Sequence, residues 1–153
     1  MEPAERAAAL DLRVVHASVA DWITDMRLVT PDIALQRKAV FKVYSMLASN
    51  DPATAKANDW LNGSEDRSPF KRAAKEMVNI EIISVLAQTP DTWQVDWNET
   101  VRDRQGIKQG EAARWRALVT VYTIPATPDT TDEDMRNNPL GLHVRDFAWS
   151  KQL

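Results

Sequence analysis

The hydrophobic period of this chain changes once, near residues 76–78, and that change limits its fold more than any other feature. Before it, apolar residues recur every three or four positions; after it, they alternate. The first period lays a stripe along a helix and the second lays one face on a strand, so helices come first and a sheet follows. Segregated order of this kind defines the α+β class rather than alternating βαβ units. A length of 153 residues suits one domain that buries roughly two thirds of its unfolded surface.

In residues 5–28, Leu12, Val15, Val19, Trp22, Ile23 and Met26 form one helical stripe, with Arg13, Asp21, Asp25 and Arg27 mostly outside it. Thr30-Pro31-Asp32 restarts the chain: Thr30 suits the N-cap, Pro31 the first helical position and Asp32 the positive end of the dipole. The second helix runs to about Ala48 on Ile33, Val40, Tyr44 and Leu47, widened by Phe41 and Val43. Asn50-Asp51-Pro52 repeats the start with Asp51 as cap, and Gly63 offers a left-handed stop to a third helix anchored by Trp60 and Leu61. Ser68-Pro69-Phe70 opens a fourth segment of about two turns. The cluster Arg67, Lys71, Arg72 and Lys75 reads as a solvated basic face, with nucleic acid or lipid headgroups as the rival reading.

The second half supplies about four strands. From residue 76 or 78 to residue 88, Val78, Ile80 and Ile82 share one face and Asn79, Glu81 and Ile83 the other. Thr89-Pro90-Asp91-Thr92 is a turn. Trp93, Val95 and Trp97 then alternate with Gln94, Asp96 and Asn98, with Arg102 on that second side. Gly106 and Gly110 bracket a polar hairpin loop before a strand over residues 114–124. Both faces of that strand are fairly apolar, which predicts a central position or cover on both sides. Thr131 caps a short helix through Arg136 in the acidic connection that follows.

Asn138-Pro139-Leu140-Gly141 makes a turn into the last strand. Pro139 pushes Asn138 towards an extended conformation, and Gly141 permits angles or approaches closed to other residues. Regular alternation then sends Leu142, Val144 and Asp146 one way and His143, Arg145, Phe147 and Trp149 the other.

Taken together, these motifs resemble TrbF-type conjugal transfer proteins, of the VirB-type inner-membrane assembly factors of type IV secretion systems. The resemblance rests on the Pro-started helix with Gln36-Arg37-Lys38, the Ser68-Pro69-Phe70 entry, and the run from Thr92 through Trp93, Trp97 and Asn98 to Thr100. It continues through Arg102-Asp103-Arg104-Gln105-Gly106, Trp115-Arg116-Ala117, and Asn138-Pro139-Leu140-Gly141 through Trp149-Ser150. One departure stands out, because the family pattern has an aromatic, usually Tyr, where this chain has His143. The resemblance implies a fold like that of nuclear transport factor two, with the helices on a curved antiparallel sheet. It also implies one periplasmic domain, cut from a protein with a short cytoplasmic tail and a single inner-membrane helix upstream. Self-association and docking of other channel subunits are the implied partnerships, and Asn138, Pro139 and Gly141 are the implied contact turn. That turn either offers a rigid shape and backbone groups to a partner or only holds the last strand in register.

Composition narrows the chemistry further. A net charge of −3 gives no electrostatic reason to expect nucleic acid. No cysteine is present, and the two histidines, His16 and His143, lie in different halves, so no thiolate or clustered zinc site is expected. Four glycines form neither a phosphate-cradling loop nor a nucleophile elbow, and no cofactor is expected. The enzymatic alternative is an isomerase, dehydratase or small-ligand binder that uses a conical pocket, with Asp96, Glu99, Asp146 and His143 as candidate groups. His16 reads as an edge residue, and at least four of the six tryptophans read as core. The residues thus offer little catalytic chemistry, and the resemblance implies a non-catalytic scaffold.

Overall fold

The computed structural model describes residues 12–153. The part of the first helix expected before Leu12 lies outside the described residues. The elements run α1 (Leu12–Arg27), α2 (Ile33–Ser45), α3 (Pro52–Leu61), α4 (Pro69–Arg72), β1 (Glu76–Ala87), β2 (Thr92–Asp103), β3 (Ala113–Thr123), α5 (Asp132–Asn137) and β4 (Leu142–Lys151). The strands form an antiparallel meander in the order β1-β2-β3-β4. This is the α+β arrangement that the change of period predicts.

Most of the α1 stripe faces the sheet: Val19, Trp22, Ile23 and Met26 are buried, while Leu12 is exposed. Trp22 also donates its indole N–H to the Val43 carbonyl at 3.3 Å, which ties α1 to α2. The α1 reading fails at Arg27, which is buried rather than solvated.

The start of α2 is shifted from expectation. Asp32 is the N-cap and accepts from the Leu35 N–H at 3.2 Å. Thr30 instead supports the turn before it, accepting from Asp32 N–H through its hydroxyl. The helix stops at Ser45, and its inward face is Gln36, Ala39 and Val43, with Ile33 and Phe41 exposed. Gln36 explains the rotation. Its amide accepts from Thr30 N–H at 2.9 Å and donates to the Leu28 carbonyl at 3.0 Å, satisfying the backbone between the two helices.

Two further capping expectations are corrected. Asp51 is the N-cap residue of α3 but makes no side-chain cap bond; its carboxylate accepts from the Tyr122 hydroxyl instead. Asn62 is the C-cap, and Gly63 has no positive φ. A Cβ at Gly63 would stand 2.6 Å from the Asp59 carbonyl oxygen, so the glycine permits a close approach rather than a left-handed stop. The segment α4 is a single turn of four residues.

Two bulges set which side chains reach the core. Ile82 pairs with Trp97 but Ser84 pairs with Asp96, so Ile83 is the extra residue on β1, and Val85 turns inward beyond it. Val144 pairs with Val121 but Asp146 pairs with Thr120, leaving Arg145 as the extra residue on β4. Leu142 and Val144 are buried before this bulge and Phe147 after it. The regular alternation expected for the last strand is thereby overturned: Phe147 joins Leu142 and Val144 in the core.

The inner face of the sheet and the helices share one core that includes Trp22, Trp93, Val95, Trp97, Ala117 and Val119. The strand β3 is central as expected, yet Leu118 on its outer face is exposed. That face carries the Asp96–Arg116 pair, and Thr92 and Thr120 share a hydroxyl contact across it.

Candidate functional site

The turn at 138–141 is held by its own side chains. Thr131 caps α5 by accepting from Asp134 N–H at 3.0 Å, and α5 ends at Asn138. The ring of Pro139 keeps Asn138 out of the helical region, at φ −146° and ψ 69°. The Asn138 amide donates to the Ser45 carbonyl at 3.1 Å and to the Leu142 carbonyl at 2.7 Å. Its oxygen accepts from Leu142 N–H at 3.1 Å, so one side chain closes the turn and fastens it to the end of α2.

Gly141 completes the attachment. Its φ is +63°, and a Cβ there would lie 2.0 Å from the Ile124 carbonyl oxygen. Its own carbonyl accepts from Ile124 N–H at 2.7 Å. Any side chain would therefore meet backbone that cannot yield without moving the end of β3. Close by, Val144 N–H donates to the Met46 carbonyl at 2.8 Å. Pro139 itself is exposed. The turn is a fixed shape presented at the surface.

A groove of about 330 Å³ opens beside it, between the end of α2, the connection after β3, α5 and the turn. His143 lines this groove, and its Nδ1 lies 2.8 Å from the Gly141 carbonyl. A carbonyl only accepts, so Nδ1 carries the proton and Nε2 is left as an acceptor in the neutral ring. Behind His143, Tyr122 donates to Asp51 and lies under the Arg145 guanidinium, 4.3 Å from its ring centre. Burial and the Asp51 carboxylate push the Tyr122 phenol above its ordinary value.

Of the four candidate acid–base groups, three are paired elsewhere and His143 is held through Nδ1 alone. Asp96 sits on the outer face and accepts from Arg116 at 2.8 and 3.1 Å; these bonds hold its carboxyl below the usual range. Glu99 accepts from Arg27, Asp146 from Lys56 at 2.7 Å, and His143 faces the Gly141 carbonyl. Among the described residues, no three His, Cys, Asp or Glu side chains are grouped to hold a metal. Three of the four residues of the basic cluster have partners: Arg72 pairs with Glu76, Lys75 with Glu65, and Lys71 donates to the Gly63 carbonyl, while Arg67 is exposed. His16 is exposed and touches the Trp93 ring edge-on at 6.2 Å.

A second constellation escaped the sequence reading. The Arg27 guanidinium donates to Glu99 at 2.5 and 2.9 Å while buried under Trp60, Trp115 and Trp149, at 4.7, 4.2 and 4.7 Å from their ring centres. Trp97 donates to the same carboxylate at 2.9 Å. Among the described residues Arg27 Nη1 has no hydrogen-bond partner, and it is enclosed by this aromatic wall, whose π faces attract the cation. Trp22, Trp93 and Trp97 are buried, and the other three tryptophans are half-buried around Arg27. One signal was available: Glu99 falls on the inward side of the Trp93–Trp97 alternation, and an inward carboxylate requires a buried cation.

Comparison with known proteins places the chain. A family model described as VirB8 protein matches residues 1–152, and the chain belongs to that family. It is 38% identical over 143 residues to the conjugal transfer protein TrbF of Rhizobium radiobacter, covering 94% of this chain and 62% of that protein. Its fold matches the VirB8 protein of Agrobacterium tumefaciens with a TM-score of 0.79, 20% identity and 94% of each chain covered. The soluble domain of TrwG from Bartonella grahamii matches with a TM-score of 0.78 and 13% identity, covering 92% of this chain and 94% of that one. The open four-stranded sheet with its helices is the nuclear transport factor two-like fold of VirB8 structures. VirB8 and TrbF proteins are inner-membrane-associated secretion components; among the described residues here, no helix is long and apolar enough to cross a membrane.

Proposed function

We propose that this chain is the periplasmic domain of a TrbF-like assembly component of a conjugative type IV secretion system, non-catalytic, scaffolding channel subunits at the inner membrane. In this reading a single transmembrane helix precedes the domain, and 153 residues correspond to its extracytoplasmic part. The chain spans 62% of the length of its TrbF relative, which leaves room for such an anchor. The observation that carries the reading is the family match over residues 1–152. It is supported by the commitment of Asp96, Glu99 and Asp146 to structural partners.

Asn138 and Gly141 brace the turn internally, and Pro139 is its exposed contact point. Self-association is the second partnership, supported by exposed apolar residues on α2, where Ile33, Leu35 and Phe41 are 60%, 53% and 51% solvent-accessible. No nucleic acid contact is assigned. The test is a photoreactive amino acid placed at position 139 of the full-length protein in cells with an assembled channel. Cross-links to other channel subunits are expected; a complete absence of such cross-links would remove the turn from the interface.

A further inference from the structure

The groove beside the turn has a composition that selects among partners, and this inference rests on the reading of the turn as a contact site. Apolar side chains make up part of the groove's lining and are open to solvent. Ile124 and Met135 are 41% and 52% exposed, and Leu47, Pro125 and Pro139 line the concavity with them. Exposed apolar side chains gathered in one hollow mark a binding surface more often than isolated ones do.

Asp134 lines the groove, and three more acidic residues stand close to it in sequence. Asp129, Asp132, Glu133 and Asp134 crowd into the connection and α5, and the Arg136 guanidinium is taken by Asp132 at 3.1 Å. Among the described residues, Asp129, Glu133 and Asp134 have no ion-pair partner. Asp134 lines the groove directly, and no lysine or arginine does. Its backbone N–H is already used by the Thr131 cap, so only the carboxylate is free to bind. His143 adds an acceptor, because its Nδ1 proton is directed at the Gly141 carbonyl. A carboxylate, an acceptor and exposed apolar side chains together complement a segment that brings cations and apolar side chains at once.

We infer that this groove docks a short extended segment of another protein in which Lys or Arg stands next to large apolar residues. The apolar side chains lie against Ile124 and Met135, and the cation pairs with Asp134. A volume of about 330 Å³ has room for a few side chains rather than for the face of a domain.

The test is a selection from a random-peptide phage library on the immobilised 153-residue chain. Selected peptides are expected to combine Lys or Arg with Leu, Ile, Phe or Met. Their affinity should fall roughly tenfold with Asp134→Lys or Met135→Glu and should weaken as salt is raised. Both substitutions are at exposed positions, and circular dichroism checks that the fold is kept. His143→Phe, which keeps a ring and removes the acceptor, should cost roughly threefold. Peptides that lack basic residues, peptides that bind Asp134→Lys equally well, or no selectable peptide would each overturn the inference. Cross-links from position 139 to a channel subunit that persist unchanged in Asp134→Lys would overturn it too, while leaving the turn as a contact site.

Discussion

Gly141 shows how much one residue can decide. Its positive φ and the 2.0 Å approach of the Ile124 oxygen to a hypothetical Cβ both exclude other residues. Gly141→Ala should therefore cost about 2–4 kcal/mol, read as a lower urea midpoint at unchanged slope. Asn138→Ala removes three side-chain bonds and should cost about 2 kcal/mol by the same measurement. Neither result alone identifies an interface, since both residues brace the turn from within. Asp25 makes a different kind of statement. Burial raises its pKa from 3.8 to about 6, with Asp21 adding to the rise and Lys42 and Lys38 opposing it. The folded state then binds more protons than the unfolded chain between these values, so this group's stabilisation is complete below pH 3.8 and is lost as pH rises through about 6. Asp25→Asn should stabilise the protein at pH 7, and the gain should vanish below about pH 4 in paired urea titrations. A loss of stability at pH 7 would contradict this.

At the scale of elements, the change of hydrophobic period was legible because it repeats over many residues. Among the described residues each helix and strand appears where it was expected, to within a few residues at the ends, the start of α1 lying outside them. What was not legible came from single residues acting across the fold. Gln36 rotates α2 by satisfying backbone between helices, and no periodicity announces that. Arg145, inserted as a bulge, reverses the faces of β4 and brings Phe147 inward. Arg27 looked like a solvated residue at a helix end because its carboxylate and its three aromatic walls lie on α3, β2, β3 and β4. Of the site, the turn was legible from Asn138, Pro139 and Gly141 alone, whereas the groove needed the approach of α2 and the chain after β3. The buried pair yields its own prediction. Glu99→Gln leaves the Arg27 charge uncompensated and should destabilise the domain by about 3–5 kcal/mol, with quenching of tryptophan fluorescence altered in the folded state. A change of less than about 1 kcal/mol would mean that the tryptophan faces alone sustain the cation.

For the whole molecule, the arrangement separates support from contact. The aromatic core and the Arg27–Glu99 pair hold the helices to one side of the sheet, and the two bulges set the faces of the outer strands. The turn and its groove are then presented at one end of β4, anchored to that core by Leu140, Tyr44 and Leu47. Such a domain suits repeated docking within a larger assembly, because its exposed sites can change without loss of the fold. The central claim is that this domain serves conjugative transfer as an assembly scaffold. The most direct measurement is conjugal transfer frequency from a donor in which the full-length gene is deleted, with and without a wild-type copy supplied in trans. Transfer is expected to be lost on deletion and restored by the wild-type copy; transfer at the parental frequency from the deletion strain would overturn the scaffold reading.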